Sequence, residues 1–317
     1  MPRRWNWDFE DQRAAARALR PKPTRAGASA RRISIRRRRG VAAVVLLALL
    51  TLVVVLVAPP GSHHTPAAST HTVGVDGYPA QVRAHRKPLE SPGAAVKSVL
   101  AYTPFVKEGG DRGRDIALTF DDGPGPYTPG VLSVLERFRV HATFFVIGEM
   151  LRYFSVSAER ELRDGDVIGD HTETHPEMAT LSAHDQHEEL FEQIARIELL
   201  GGPRPVLFRP PYGSYDATTM RELHALHLLM VLWSADTEDY LQPGVSVIVE
   251  HALAGAHPGA IILMHDAGGT RTQTIEALPT IIRELRARGY HLVTVPELLR
   301  DDPPPAGRPL PANLRGD

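Results

Sequence analysis

The stretch LTFDDGPGPYTPG, residues 118–130, decides how the rest of the chain is interpreted. Its apolar start leads through Phe120 into two adjacent carboxylates, Asp121 and Asp122, and a Gly-Pro-Gly-Pro run follows at once. Like charges at this separation repel one another and disfavour joint ionisation. The pair is therefore compatible either with two solvated carboxylates in a turn or with the surroundings of a bound cation.

Short β-branched or aromatic runs alternate with amphipathic helical patterns through the middle of the chain. Strands are expected at 116–120, 142–147, 166–169, 206–208, 229–234, 260–264 and 291–295. Helices are expected at 128–138, 149–163, 182–200, 216–226, 245–254 and 273–288. Such alternation favours parallel strands joined by crossover helices. About seven strand–helix units would form an α/β barrel slightly smaller than the eightfold one.

Chemically capable side chains follow almost every expected strand. In chain order these are Asp121 and Asp122, His171 and His175, Arg209 to Tyr212, Asp236 and Asp239, and His265 and Asp266. The carboxyl ends of parallel strands share one face, and active sites form on that face of a parallel barrel. The clustering therefore indicates an enzyme active site.

The segment HTETH places His171 and His175 at positions i and i+4, a spacing that suits one metal ion. The chain has no cysteine, so a metal site has to be built from His, Asp and Glu. Either Asp121 or Asp122 would complete a set of two histidines and one carboxylate, which is common for zinc or ferrous iron. The other carboxylate would then be free to act as a base.

Three further segments contribute candidates. Arg209 lies in FRPPYG, where prolines stiffen the backbone, and a fixed arginine would orient a neighbouring carboxylate. His265 follows the apolar run AIILM and is interpreted as a general acid. Trp233 and Tyr240 are interpreted either as core residues or as a wall that faces sugar, and Tyr240 is the better candidate for the wall.

The first 58 residues differ from the rest. Residues 1–40 carry 13 Arg and Lys against three acidic residues, and the remaining 277 residues have a net charge of −11. Residues 41–58 hold no charge and would span about 27 Å as a helix, close to the thickness of the hydrocarbon core. Because residues 36–39 are all arginine, the positive-inside rule predicts a single-pass protein of the cell membrane. Residues 1–40 would be a basic cytoplasmic head and the remainder would be extracellular.

Two alternatives apply to this amino-terminal region. The apolar run could be the core of a cleaved signal peptide, although it is longer than such segments usually are. The basic head could bind nucleic acid, but beside a membrane segment its ordinary role is topology and contact with anionic lipid, so no nucleic acid is expected as a partner. Residues 59–111 are predicted to be a flexible stem and residues 301–317 a disordered tail, because both are rich in Pro and Gly.

Five segments in this order resemble the motifs of the polysaccharide deacetylase family with the NodB homology domain, also called carbohydrate esterase family 4. They are TFDDGP (119–124), HTETH (171–175), RPPYG (209–213), WSADTEDY (233–240) and ILMHD (262–266). The resemblance covers residues 112–300. It implies a distorted (β/α)7 barrel and one divalent metal ion, usually zinc, with cobalt or another metal possible.

Carried over residue by residue, the resemblance implies Asp121 as the catalytic base. Asp122, His171 and His175 would be the metal ligands, and Arg209 would hold Asp121.

The remaining motif residues would contact the substrate or move the second proton. The resemblance implies that the backbone N–H of Tyr212 binds the oxyanion, and that Leu263 lines the pocket for the acetyl methyl group. Asp239 would orient His265, the general acid, although Asp236 is an alternative partner. Tyr240 stands where the family usually has Trp, so the groove wall departs from the usual pattern.

The function implied is removal of acetyl groups from the N-acetylated sugars of an extracellular polysaccharide. The expected location favours cell-wall peptidoglycan, whose sugars lie just outside the membrane. Chitin oligosaccharides and acetylated xylan are the alternative substrates, the latter through an O-acetyl ester. A barrel without activity that binds glycan is less consistent with the sequence, because none of the motif residues is missing.

Overall fold

A computed structural model describes residues 92–311 of the chain. Within these residues the strands are β1 (Phe105–Val106), β2 (Asp115–Asp121), β3 (Thr143–Val146), β4 (Val167–Asp170), β5 (Leu207–Phe208), β6 (Leu229–Val231), β7 (Ala235–Asp236), β8 (Ile261–His265) and β9 (His291–Val293). The helices are α1 (Pro92–Leu100), α2 (Thr128–Phe138), α3 (Gly148–Asp164), α4 (Ala183–Leu199), α5 (Ala217–Leu226), α6 (Val245–Ala254), α7 (Thr272–Ala287) and α8 (Val295–Asp301).

The strands form one sheet in the order β1-β6-β5-β4-β3-β2-β8-β7, with β9 also pairing with β2. Every pairing between these strands is parallel. Strand β2 is central and all seven of its residues are buried. Because helices follow most strands and cover the sheet, the strands appear in the sequence as continuous apolar runs rather than alternating ones.

The sheet curls into an incomplete barrel. Strands β6 and β7 lie near opposite ends of the strand order, yet only residues 232–234 separate them in the chain. Four residue steps reach at most about 14 Å, so the two ends of the sheet have to approach each other. Among the described residues no strand pairing joins β1 to β7, and the barrel is therefore distorted and open rather than a regular closed one.

Alternate residues of the strands supply two apolar layers. Leu118 and Phe120 of β2 pack with Phe144 of β3 beneath the outer helices, and the two phenyl rings stack with centroids 5.2 Å apart. Ala117 and Phe145 point to the other face and join the layer inside the curve of the sheet. The two-residue period of a strand produces this division, and it leaves the strand ends as the place for polar groups.

The domain extends beyond the boundaries expected from sequence. Residues 92–111 were predicted as stem, but Val96 and Val99 of α1 are buried against α8, and β1 pairs with β6. In the predicted tail, the carboxylate of Asp302 accepts hydrogen bonds from Arg112 and Gly113. The prediction of a flexible stem is therefore wrong for residues 92–106, because their apolar side chains complete a core that other parts of the chain provide. The predicted tail begins inside α8, and Asp302 is held by polar contacts rather than by apolar packing.

The amino-terminal predictions lie elsewhere in the chain. The basic head at 1–40, the anchor at 41–58 and residues 59–91 of the stem are outside the described residues, as are residues 312–317 of the tail. Between residues 92 and 311, no helix combines the length and apolar character needed to cross a bilayer.

Candidate active site

The sheet register brings the five motifs to one edge. Asp121 at the end of β2 lies opposite His265 at the end of β8. Asp170 at the end of β4 lies opposite Phe208 in β5, so the next residues, His171 and Arg209, leave the sheet side by side. The clustering predicted from strand ends is therefore present in the fold.

Asp122, His171 and His175 form a compact group of possible metal ligands. One ligand atom of each lies within 4.8 Å of the others, and all three residues are buried. Asp122 Oδ1 is 3.1 Å from His175 Nε2 and 3.5 Å from His171 Nε2. The residues that the structure describes contain no other such group.

The backbone around this group is bent sharply. Asp122, Thr172, His175 and Tyr212 all have positive φ, between 58° and 74°, although none of them is glycine. Such conformations cost of order 1–3 kcal/mol each and persist where the surrounding structure imposes them. For Asp122 the bend has a clear consequence, because adjacent strand residues point in opposite directions and a left-handed residue redirects the second carboxylate toward the same cavity.

The HTETH loop is fixed by its own hydrogen bonds. The N–H of Thr172 donates to Asp170 Oδ1 at 2.8 Å, and the N–H of His175 donates to Thr172 Oγ1 at 2.9 Å. At the start of α3, the N–H of Gly148 donates to the carbonyl oxygen of Thr172 at 3.0 Å. These contacts present both imidazoles to Asp122 from a short turn rather than from a regular helix.

The second nitrogen of each imidazole is also engaged. His171 Nδ1 lies 2.7 Å from the carbonyl oxygen of Arg209. Because a carbonyl only accepts, His171 Nδ1 carries the hydrogen and its Nε2 lone pair faces Asp122. His175 Nδ1 lies 3.1 Å from the hydroxyl of Tyr212. Both imidazoles thus offer Nε2 to one point.

A divalent metal ion fits these residues. Two imidazole nitrogens and one carboxylate are a ligand set of catalytic zinc sites that keep an open position. Asp122 Oδ2 is buried and has no hydrogen-bond partner among the described residues, as expected of an oxygen that awaits a ligand. Burial opposes ionisation of Asp122, yet the nearby His175 and His171 hold the pKa of its carboxyl well below the ordinary value.

Asp121 is held by a buried arginine. Arg209 Nη1 donates to Asp121 Oδ1 at 2.8 Å and to Thr119 Oγ1 at 2.9 Å. Its other nitrogens donate to the carbonyl oxygens of Val231 and Leu232. Asp121 Oδ2 is left facing His171, whose Nε2 is 3.8 Å away. The second carboxylate is therefore oriented beside the candidate metal ligands without being one of the close group.

His265 is paired with Asp239 rather than with Asp236. Its Nδ1 lies 2.7 Å from Asp239 Oδ1, and its backbone N–H donates to Asp239 Oδ2 at 2.9 Å. The Asp236 carboxylate instead accepts from the N–H of Glu238 at 2.8 Å. His265 Nε2 is 4.0 Å from Asp122 Oδ2, which places the expected acid next to the ligand group. Burial lowers the pKa of His265, but the charge and hydrogen bond of Asp239 outweigh it and raise the pKa to about 9.

Three predicted groove residues lie at this edge. Leu263 is buried in β8, two residues before His265. The ring of Tyr240 meets the imidazole of His265 edge to face, with centroids 5.3 Å apart, and is half-buried. Trp233 is also half-buried and packs against Arg209, whose guanidinium carbon is 5.7 Å from its ring. Tyr240 is thus the aromatic residue that contacts the expected acid, and Trp233 supports the arginine.

Thr119, Thr274 and Asp266 received no role from the sequence. Thr119 faces the same side as Asp121, a two-residue spacing that the strand pattern would have allowed us to find. Thr274 donates to Asp239 Oδ2 at 2.7 Å from α7, and no local signal marks it. Asp266 is fully buried, accepts from Thr128 and has burial and the nearby Asp122 and Asp121 raising the pKa of its carboxyl to about 7. In the sequence, the position of Asp266 directly after His265 was the one feature that could have marked it as a site residue.

Known proteins resemble the chain in sequence and in fold. A family model described as "Polysaccharide deacetylase" matches residues 108–231. A peptidoglycan-N-acetylglucosamine deacetylase of Bacillus cereus is 39% identical over 196 residues, which are 58% of this chain and 88% of the relative. A chitooligosaccharide deacetylase of Rhizobium leguminosarum bv. trifolii is 35% identical, over 63% of this chain and 99% of the relative. The chain spans only 38% of the length of the PgdA deacetylase of Listeria monocytogenes, with 38% identity.

A solved structure shares the fold. The Bc1960 peptidoglycan N-acetylglucosamine deacetylase aligns with a TM-score of 0.61 and 31% identity, over 65% of this chain and 97% of that one. An open parallel barrel with two histidines and two aspartates gathered at its carboxyl edge defines the class of protein, a hydrolase of the α/β-barrel type. The chain belongs to the polysaccharide deacetylase family, carbohydrate esterase family 4, and is a polysaccharide N-deacetylase.

Proposed function

We propose that the protein is a metal-dependent N-deacetylase of cell-wall peptidoglycan that acts on the outer side of the cell membrane. The proposal depends mainly on one distance: His265 Nε2 lies 4.0 Å from Asp122 Oδ2. A candidate proton donor is therefore next to the candidate metal ligands at one edge of the sheet. The peptidoglycan deacetylases among the relatives support this substrate.

Asp122, His171 and His175 would hold the metal ion, with zinc or cobalt as the expected species. When bound, a divalent ion of this kind polarises a carbonyl oxygen and lowers the pKa of water. The chain's own contribution is to direct two imidazole Nε2 atoms and one carboxylate oxygen to a single buried point.

Asp121 is assigned as the general base. Its Oδ2 faces the ligand group, and it takes a proton from the attacking water as the water oxygen bonds to the acetamide carbon. Arg209 keeps the carboxylate in place through Oδ1, the oxygen that Asp121 does not need for the proton. The geometry therefore separates the oxygen that is anchored from the oxygen that reacts.

Tyr212 and Leu263 are assigned to the substrate. The backbone N–H of Tyr212 would donate to the oxyanion of the tetrahedral intermediate, a contribution of about 3 kcal/mol for one well-placed donor. Leu263 would receive the acetyl methyl group, because it is the apolar residue of β8 two positions before His265. Tyr240 would form the groove wall beside the acid.

His265 is assigned as the general acid. Asp239 holds its Nδ1 hydrogen and its orientation, so Nε2 is the nitrogen that delivers a proton. Transfer of that proton to the amide nitrogen accompanies cleavage of the carbon–nitrogen bond, and acetate and a free amino sugar leave. The base and the acid thus belong to different strands. Asp121 removes a proton from the water that attacks the carbonyl carbon, and His265 gives a proton to the nitrogen that leaves it.

The proposed location rests on the sequence. Four arginines at 36–39 precede the uncharged residues 41–58, and positively charged flanks of this kind remain in the cytoplasm. The catalytic domain would then be tethered beside the wall, with an N-acetylated polysaccharide as its partner and the membrane contacted through residues 41–58.

Acetate release from the purified full-length chain tests the proposal. The substrates are N-acetylated peptidoglycan, chitin oligomers and acetylated xylan, each before and after chelation and after zinc or cobalt is restored. We expect metal-dependent release from peptidoglycan. Greater release from chitin oligomers would favour a chitooligosaccharide substrate, like that named for the Rhizobium relative. Release only from xylan would assign an ester substrate, and release from none with metal bound would reject the substrate proposal.

A further inference from the structure

We propose that the phenol of Tyr212 is a positioning residue for the metal site, in which its hydroxyl fixes the ring of His175. This inference rests on the proposed metal-dependent function and adds a role for the side chain of Tyr212. The assignment of its backbone N–H to the oxyanion does not require that side chain.

The contact between Tyr212 and His175 is made in two ways. The Tyr212 hydroxyl lies 3.1 Å from His175 Nδ1. The two rings also meet edge to face, with centroids 4.7 Å apart and an interplanar angle of 67°. An imidazole that gives Nε2 to a metal keeps its hydrogen on Nδ1, so the phenol oxygen is placed to accept that hydrogen and set the rotation of the ring.

The two histidines differ in what holds them. The Nδ1 of His171 meets a main-chain carbonyl, that of Arg209, at 2.7 Å, and Arg209 is 0% exposed. The Nδ1 of His175 meets a side chain that is 37% exposed. His171 is therefore fixed by the buried fold, whereas the orientation of His175 depends on a residue at the surface of the groove.

Both partners come from the RPPYG segment. Arg209 and Tyr212 are three residues apart, and Tyr212 has a φ of 58° in a short 3-10 turn at 211–213. One loop thus contacts the second nitrogen of both imidazoles and also supplies the expected oxyanion donor. Because Tyr212 is partly exposed, a bound sugar that displaces its ring would also change the orientation of His175.

Substitution of Tyr212 by Phe isolates the hydroxyl. The phenyl ring keeps the edge-to-face contact, so a change in metal binding reports on the hydrogen bond. The matched control is Tyr215→Phe, the same change in the same loop, since the Tyr215 hydroxyl donates to the carbonyl of Pro311. Thermal unfolding of each metal-free variant shows whether the fold is kept.

The measurement is the dissociation constant for Zn²⁺ of the full-length chain, by competition with a chromogenic chelator, together with the visible spectrum of the Co²⁺ form. Loss of such a partner typically weakens metal binding about 10- to 100-fold, and we expect a loss in this range for Tyr212→Phe with an altered Co²⁺ spectrum. We expect Tyr215→Phe to match the wild type in both.

The outcomes separate this inference from the proposed function. If the wild type binds Zn²⁺ and Tyr212→Phe binds it equally well with an unchanged Co²⁺ spectrum, the positioning role is rejected and the proposed function stands. An equal loss in Tyr215→Phe would also reject it, because the effect would then belong to the loop as a whole. If the wild type does not bind Zn²⁺ or Co²⁺, the metal-dependent function itself is rejected.

Discussion

Arg209 reaches Asp121 from a completely buried position, with its Nη1 2.8 Å from Asp121 Oδ1. Its guanidinium also lies over the ring of Phe145, at 4.2 Å from the ring centroid. A charge is costly to bury unless it is paired and hydrogen-bonded, and here four acceptors and an aromatic face share that task. The Arg209–Asp121 pair therefore stabilises the fold and also orients the carboxylate that is expected to act as the base.

Replacing Arg209 by Met should destabilise the protein as well as inactivate it. The variant leaves the Asp121 carboxylate buried without its partner, and breaking a buried pair typically costs about 3–5 kcal/mol. We expect a loss of this size in the free energy of unfolding, measured by denaturant titration, and loss of acetate release. Arg204→Met is the control. Arg204 is half exposed and lies 3.8 Å from Glu198, and a surface pair of this kind contributes little to stability. Unchanged stability of Arg209→Met would contradict the pairing.

Asp239→Asn should shift the pH dependence of the reaction. The pKa of His265 is about 9 because the Asp239 charge outweighs burial, so the acid is protonated below that pH and is lost as the pH rises through it. A cation bound at Asp122 would lower that limit, since Asp122 also helps to raise the pKa. Without the Asp239 charge, burial dominates and the pKa falls.

The measurement is kcat/KM for acetate release as a function of pH. We expect the alkaline limb of Asp239→Asn to move to lower pH, with reduced activity at neutral pH. Asp236→Asn serves as the control, because its carboxylate binds the N–H of Glu238 and not His265. If the alkaline limb moved further in Asp236→Asn than in Asp239→Asn, the pairing of His265 with Asp239 would be wrong.

Much of the fold could be predicted because its signals are local. The helix expected at 128–138 is present with the same bounds, and the strand expected at 116–120 is present as β2, which also includes Asp115 and Asp121. Strand β1 was missed because it has two residues, and its partner β6 is more than 120 residues away in the chain. The expected strand at 229–234 is present only as β6 and ends at Val231, and β7 was not predicted, since the chain after β6 crosses from one end of the sheet to the other.

The site could be predicted only as far as residue types and strand ends allow. The sequence indicated that His265 has an aspartate partner but not which one, because Asp236 and Asp239 follow the same strand. The choice depends on a turn at Glu238, whose φ is 52°, and on Thr274 from a helix that no nearby motif marks. Side-chain direction after an irregular turn is set by long-range packing, which spacing does not encode.

Asp302→Asn should lower the free energy of unfolding, and the size of the loss should depend on pH. Burial would raise the pKa of Asp302, but hydrogen bonds from Gly113 and Arg112 hold it below the ordinary value. A depressed carboxyl pKa stabilises the fold above the unfolded-state pKa, and this contribution disappears as the pH falls. At neutral pH we expect a loss of about 1–3 kcal/mol in the free energy of unfolding, since bonds to a charged group are lost.

Thermal and denaturant unfolding at pH 7 and below pH 4 check this prediction. The difference in the free energy of unfolding between Asp302→Asn and the wild type should be smaller at the lower pH. Asp301→Asn provides the control, because Asp301 is exposed and its ion pair is with the adjacent Arg300. A difference that stays constant with pH would show that the charge of Asp302 is not the cause.

Glu189→Ala should loosen the loop that carries the two histidines. Glu189 of α4 accepts from the N–H of Thr174 at 2.7 Å and from its hydroxyl at 2.6 Å. Its own carbonyl oxygen accepts from the N–H of Glu173 at 3.0 Å, a bond that the substitution retains. Residues 173 and 174 lie between the ligands His171 and His175, so removal of the carboxylate frees the middle of the loop.

We expect the affinity of Glu189→Ala for Zn²⁺ to fall about 10-fold, the lower end of the range for partners behind metal ligands, because only the loop and not a ligand is released. The thermal midpoint of the metal-free protein should change little, since the side chain of Glu189 is only half-buried on α4. Glu188→Ala, which removes the neighbouring exposed carboxylate, is the matched control and should bind Zn²⁺ as the wild type does. Equal affinities of the two variants would mean that α3 and the bonds within the loop are sufficient to hold it.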